Sequence, residues 1–164
     1  QAVVATVTVE TKDGKYAPNK KYVGRDASYI LRESGIIMNR EVKAVIADVP
    51  FEHPLVMTEM LMPVVPVTRV ATVDEAIEKA VIAENGCHHT AMMHSENVNN
   101  LTKMARAIDT TIFVKNAPSY AGLGIDGEGY TTLTIATPTG EGLTSAKNFT
   151  RSRRCTLHGA FRII

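Results

Sequence analysis

Tryptophan is absent from this 164-residue chain, aromatic residues make up 5% of it, and only two cysteines occur. Cys87 and Cys155 are too few for a disulfide framework, and their spacing fits no zinc motif, so a reducing cytoplasm is the expected setting. No apolar run approaches the ~20 residues a membrane-spanning helix needs. Charge of one sign is missing too. Eighteen Lys and Arg against 17 Asp and Glu leave a net charge of +1, with no global field for nucleic acid or an anionic membrane. The opening QAVVATVTVE lacks a basic region, an apolar core and a cleavage site, so no signal peptide is expected there. It also lacks an initiator methionine and begins on a strand-like run, as expected of a proteolytic or engineered fragment, or of a processed chain. Asn148-Phe149-Thr150 fits the glycosylation acceptor pattern, but without a secretory signal it is read as chance.

What is present is ordinary for a globular domain: 45% hydrophobic and 21% charged residues, enough chain for one domain with a substantial core. Residues 1–9 alternate and are β-branched, which predicts a strand. Residues 12–21 read as a loop. Asp26 caps a predicted short helix to about Ser34, ended by Gly35. Residues 42–49 (VKAVIADV) form a nearly continuous apolar run, as in a strand buried on both faces. A short helix over 54–60 and a strand over 64–70 follow. Thr72 and Glu75 form a capping box for a helix that Asn85-Gly86 stops. Then come a strand at 89–94, a helix capped by Ser95 with Val98, Leu101, Met104, Ala105 and Ile108 on one face, and a strand at 110–114. Strand and helix alternating in this way predict βαβ crossovers and a mostly parallel sheet with flanking helices, an α/β fold. After Asn116 come a glycine-rich loop, a strand at 130–136, a second glycine loop and a basic, β-rich tail from Thr150.

Gly122, Gly124 and Gly127 satisfy GxGxxG, but a dinucleotide fingerprint must leave a strand and open a helix. Here seven residues separate strand from glycine, so a flexible loop is expected. Residues 138–145 (PTGEGLTS) resemble a phosphate loop without its lysine, and a plain turn is the better reading. Cys87-His88-His89 brings thiol and imidazole together. A metal there needs distant ligands such as His53, His94 or His158, and an unreactive loop-to-strand junction is favoured. Arg151, Arg153 and Arg154 can grip phosphate, or on a strand can keep an exposed edge soluble, which is the favoured reading.

The segments TEMLMPVVPV (58–67), DTTIFVKNAPSYAGLG, GEGYTTLTIA and TGEGLTSAKNFTRSRRC resemble the carboxy-terminal part of the CoA-acylating aldehyde dehydrogenases, of the kind found in bacterial propanediol and ethanolamine microcompartments. The resemblance runs over nearly the whole chain and is weakest over residues 1–20. It implies an aldehyde-dehydrogenase-like catalytic domain portion over 1–149 and an oligomerisation tail over 150–164 that adds a strand to a neighbouring subunit. It implies NAD as cofactor and coenzyme A as co-substrate, with a small aldehyde, acetaldehyde or propionaldehyde, as the other substrate. Glu59 inherits the contact to the nicotinamide ribose hydroxyls and Leu61 the apolar position near the nicotinamide ring. Thr58 stands where the general family has a first glutamate, and Leu61 where it has phenylalanine. Asn116, Pro118 and Ser119 are implied near the aldehyde or acyl pocket. The nucleophilic cysteine is implied upstream of these residues, since neither Cys87 nor Cys155 falls at its position. The chain alone is therefore expected to be inactive and to need the missing amino-terminal part, in a cytoplasmic or microcompartment setting. Two rivals stand beside this: a non-catalytic binding or assembly module of the same fold, and an enzyme using Cys87 with a nearby histidine.

Overall fold

A computed structural model describes residues 1–128, 132–135, 143–156 and 158–159. The chain divides into two compact units, Gln1–Lys79 and Ala80–Ile164. No helix among the described residues is long and apolar enough to cross a membrane.

The first unit opens with helix α1 (Ala2–Val7), not the predicted strand; only Thr8–Glu10 (β1) is extended, pairing antiparallel with Tyr16–Pro18 (β2). Burial decides this against β propensity. Val7 is fully buried against Tyr22, Ile30, Leu55, Met60 and Val64, and Val3 and Val4 pack on the same cluster. The hydroxyls of Thr6 and Thr8 donate to the carbonyls of Ala2 and Val4, four residues back, the local bond that lets threonine sit in a helix.

Helix α2 (Ala27–Glu33) begins after Asp26 and stops before Gly35, whose φ of 78° no β-carbon would favour, as its sequence predicts. The Asp26 side chain itself makes no capping bond. Strand β3 (Val45–Asp48) and strand β4 (Val64–Val67) pair in parallel, with Val45 opposite Val64 and Ile46 opposite Val65. The one-turn helix α3 (Pro54–Met57) lies in the crossover between them. The expectation of a doubly buried strand at 42–49 is corrected here. β3 alternates, with Val45 and Ala47 packed toward the core and Ile46 72% exposed.

Helix α4 (Val73–Glu84) is capped by Thr72 as predicted, but the returning half of the predicted capping box is displaced by one residue. The Glu75 amide donates to the Thr72 hydroxyl at 3.1 Å, while the Glu75 carboxylate reaches past Thr72 to the Ala71 amide at 3.0 Å. Glu75 also pairs with Lys79 at 3.0 Å. The Ala71 amide first, and Lys79 second, hold the Glu75 carboxyl below its ordinary value.

In the second unit strands β5 (Thr90–Met93) and β6 (Ile112–Lys115) pair in parallel around helix α5 (Val98–Ile108). Leu101, Met104 and Ile108 form the buried face of α5, and Ile112 and Val114 that of β6. The cap of α5 is Asn97, whose side chain accepts from the Asn99 and Asn100 amides; Ser95, the expected cap, instead accepts from the Asn97 amide. A carboxamide two residues closer to the helix satisfies two orphan donors where the hydroxyl satisfies one.

The described strands therefore form two parallel pairs and two antiparallel pairs rather than one mostly parallel sheet. Periodicity encodes which residues are buried, not which strands share hydrogen bonds. The last antiparallel pair joins Thr134–Ile135 (β7) to Leu143–Thr144 (β8). Tyr130, Thr131 and Ala136 of the predicted strand, and residues 138–142 of the second glycine loop, lie outside the described residues. So do 157 and 160–164 of the tail, while residues 150–156 and 158–159 carry no strand pairing.

Candidate functional site

The crossover between β3 and β4 holds the two residues implied in cofactor binding. His53 starts it: its Nδ1 accepts from the Leu55 amide at 3.3 Å, and Pro54 at the first helical position fits a site with no amide to satisfy. Leu55 is 1% exposed and anchors α3 in the core. After α3 the chain alternates. Met60 turns inward at 6% exposure, while Glu59 and Leu61 face out, Leu61 at 59%. Met60 and Val64, both in the core cluster, thus hold the segment from either side. Leu61 takes φ 52°, left-handed for a non-glycine residue, a geometry costing about 1–3 kcal/mol that surrounding contacts must over-determine. One such contact is the Gly24 amide, which donates to the Leu61 carbonyl at 3.0 Å. The Glu59 carboxylate has no hydrogen-bond or ion-pair partner among the described residues. The Glu59 carboxylate and the Leu61 side chain are thus both open to solvent, and the carboxylate is free to accept hydrogen bonds from hydroxyl or amide donors.

In the second unit Asn116 ends β6 in the left-handed region, φ 56°. Its amide donates to the Met93 carbonyl at 2.9 Å. Its side chain grips Ser95 twice, Oδ1 accepting from the Ser95 amide at 2.7 Å and Nδ2 donating to the Ser95 carbonyl at 3.0 Å. Asn116 therefore locks the ends of β5 and β6 together and sets the direction of the following loop. Pro118, exposed, caps a 3₁₀ helix over Ser119–Leu123, and Ser119, half-buried, is its first residue. The groove of about 360 Å³ beside this loop is lined by Lys115, Ala117, Ala121, Gly122 and Asp126 among others, and not by Asn116, Pro118 or Ser119. Gly122 belongs where it is for a packing reason: a β-carbon there would stand 2.3 Å from a methyl of Ile112. Gly122, Gly124 and Gly127 sit in and after the 3₁₀ helix, so they do not link a strand to the start of an α-helix as a dinucleotide fingerprint must.

The other singled-out residues have local roles. His88 Nδ1 lies 2.8 Å from the Asp109 carbonyl, and His89 Nδ1 lies 2.7 Å from the Thr90 hydroxyl. Cys87 and Cys155 are exposed thiols. Among the described residues no group of three or more His, Cys, Asp or Glu could hold a metal ion. Arg151, Arg153 and Arg154 are exposed. Glu59 and Leu61 belong to the first unit and Asn116, Pro118 and Ser119 to the second. Sequence reasoning did not find the tie of Leu61 to Gly24 or the double grip of Asn116 on Ser95. The glycine at 24 and an asparagine just past a strand, each tolerant of a left-handed backbone, were the available signals.

The aldehyde dehydrogenase family profile matches residues 34–128, more than half of the chain. The acetylating acetaldehyde dehydrogenase of Salmonella typhimurium is 55% identical over 151 residues, which cover 92% of this chain and 32% of that protein. The crystal structure of a propionaldehyde dehydrogenase from Rhodopseudomonas palustris, with bound CoA and an acylated cysteine, superimposes with a TM-score of 0.83 at 52% identity, over 94% of this chain and 34% of the other. An engineered glycolyl-CoA reductase carrying 8 mutations, with bound NADP+, gives a TM-score of 0.83 at 51% identity over 95% and 35%. The chain spans about a third of the length of the relatives it matches.

Proposed function

The chain belongs to the aldehyde dehydrogenase family, and from that premise we propose that it is the carboxy-terminal portion of the catalytic domain of a CoA-acylating aldehyde dehydrogenase. The observation that carries this is the crossover motif: Glu59 unpartnered and outward, Leu61 exposed beside it, both fixed by Met60 and Val64 in the core. The cofactor is a nicotinamide dinucleotide, which takes up the hydride. The resemblance favours NAD, and the engineered relative solved with NADP+ keeps the proposal at the shared nicotinamide nucleotide.

In the full protein a cysteine thiolate outside this chain attacks the aldehyde carbonyl to form a hemithioacetal. Loss of hydride leaves a thioester, and the CoA thiol then takes the acyl group, acetyl or propionyl. Residues of this chain do the positioning. The Glu59 carboxylate accepts from the ribose hydroxyls and fixes the ring for hydride transfer, and Leu61 supplies an apolar surface to that ring. Asn116, by clamping Ser95, orients the loop of Pro118 and Ser119 at the acyl pocket. Without the upstream part the chain is inactive. Residues 150–164 donate a strand to a neighbouring subunit, and the protein works in the cytoplasm or a bacterial microcompartment. Deleting 150–164 lowers the solution mass of the assembly; an unchanged mass removes that role.

The test of the site is Glu59→Gln in a protein of the relatives' full length. Hydrogen bonds to a charged group contribute about 1.5–3 kcal/mol, so KM for the dinucleotide rises roughly 10- to 100-fold with Tm unchanged. Cofactor kinetics that stay at the wild-type values remove Glu59 from the site.

A further inference from the structure

The connector from α4 to β5 holds the chain's single Asn-Gly step, Asn85-Gly86; no other asparagine in the sequence precedes a glycine. Both residues are exposed and both are left-handed, Asn85 at φ 57° and Gly86 at φ 72°. A β-carbon at Gly86 would meet nothing within 4 Å, so nothing crowds that side of the peptide. Neither the Gly86 amide nor the Asn85 carboxamide has a hydrogen-bond partner among the described residues. Asn19, Asn97, Asn116 and Asn148 differ, since each binds its side chain to a backbone group.

Little holds this turn shut. The Cys87 amide donates to the Glu84 carbonyl at 3.2 Å, and the His89 amide donates to the Glu84 carboxylate at 3.2 Å. A surface turn held by so few bonds opens locally at small free energy, and glycine adds backbone freedom. Once the turn opens, the Gly86 nitrogen can reach the Asn85 side chain.

We propose that Asn85 is a site of spontaneous deamidation, and that its isoaspartyl product loosens the start of β5. The Gly86 nitrogen gives its proton to solvent base and bonds to Asn85 Cγ. The Cγ–Nδ2 bond breaks, and Nδ2 takes a proton and leaves as ammonia. Water then opens the cyclic imide. Cleavage at Cγ leaves aspartate, cleavage at the backbone carbonyl leaves isoaspartate, and nothing is oxidised or reduced. Either product puts a negative charge at the carboxyl end of α4, where the helix dipole disfavours it. Aspartate keeps the chain length and tolerates a left-handed backbone. Isoaspartate adds a methylene to the main chain, inside a connector fixed at both ends. Glu84 holds one end, and at the other the His88 and His89 carbonyls accept from the Thr111 and Ile112 amides at 2.9 and 3.1 Å. The site is independent of the Glu59 contact.

The test is to age the 164-residue chain in warm, mildly alkaline buffer. Samples are read by mass spectrometry of the tryptic peptide 80–103 and by an isoaspartyl methyltransferase assay. The expected result is a gain of one dalton at Asn85, while Asn97, Asn99 and Asn100 in the same peptide keep their amides. Conversion runs within about tenfold of the rate in urea, as easy local opening allows. Amide exchange at Thr111 and Ile112 speeds up as isoaspartate accumulates. Asn85→Gly keeps the left-handed freedom without the carboxamide, so it ages with no isoaspartate and unchanged exchange. Asn85→Asp adds the charge without the methylene and moves exchange less than ageing does. A folded chain that keeps the Asn85 amide while the urea-unfolded chain loses it overturns the proposal. So does isoaspartate at this position with exchange at Thr111 and Ile112 unchanged. Neither result touches the cofactor kinetics of Glu59→Gln, so the two readings fail separately.

Discussion

The two units solve one problem in different ways. Each holds a four-residue parallel strand pair closed by a crossover, β3–α3–β4 in the first and β5–α5–β6 in the second. In the second unit the crossover carries an 11-residue helix with a buried Leu101–Met104–Ile108 face, and the residues proposed for the pocket follow the strand. In the first the crossover carries one helical turn, and the rest is irregular chain that presents Glu59 and Leu61. A regular helix fixes its outward side chains at its own period. An irregular segment pinned by Met60 and Val64 can aim one carboxylate and one leucine, at the cost of a left-handed Leu61. The proposed cofactor contacts sit where the crossover gives up helical hydrogen bonds.

That contrast can be broken at its anchors. Leu55→Ala empties a site 1% exposed and lowers stability by about 2–5 kcal/mol, read by urea denaturation. Removing the anchor of a one-turn helix takes the crossover with it, so amide exchange across 54–63 speeds up most. A loss under 1 kcal/mol, well below that range, shows that the segment does not depend on its anchor. In the second unit Asn116→Ala exchanges two exposed hydrogen bonds to the Ser95 backbone for water and leaves alanine at φ 56°, at a cost of about 0.5–1.5 kcal/mol. Asn116→Gly, which keeps the backbone freedom but not the grip, is expected to recover only part of that loss. Full recovery assigns the role of Asn116 to φ alone.

Asn97→Ala removes the cap of α5 and costs about 0.5–2 kcal/mol, while Ser95→Ala costs less. The reverse order makes Ser95 the true cap. Leu61→Gly relieves the left-handed strain and changes stability by no more than about 1 kcal/mol, either way, while weakening dinucleotide binding in the full-length protein. Smallest is the effect of pH on α4. Folding depresses the Glu75 carboxyl through the Ala71 amide and Lys79, so its contribution is present above the unfolded carboxylate value and fades as pH falls through the lower folded value. Glu75→Gln flattens stability between pH 5 and 3, about the carboxylate range, and an unchanged slope there shows that Glu75 is not the titrating group.

Much of the fold was legible because it rests on local chemistry. Thr72 and Asn85-Gly86 bracket α4, and Asp26 and Gly35 bracket α2, as their cap residues say. The failures share a cause, which is tertiary. Ala2–Val7 reads as a strand until Val7 meets Ile30 and Leu55. Ile46 reads as buried because an apolar run carries no information about what covers each face. For the site, Glu59 and Leu61 came from resemblance and not from spacing, because a lone carboxylate near a strand has no pattern of its own. Their outward placement emerged only when Met60 was seen turning in.

The most direct test of the account is a crystal structure of a full-length protein carrying this sequence with its nicotinamide dinucleotide bound. The account predicts the Glu59 carboxylate within about 3.2 Å of the nicotinamide ribose hydroxyls and Leu61 against the ring. A bound dinucleotide whose ribose is held by other residues, with Glu59 in solvent, contradicts it.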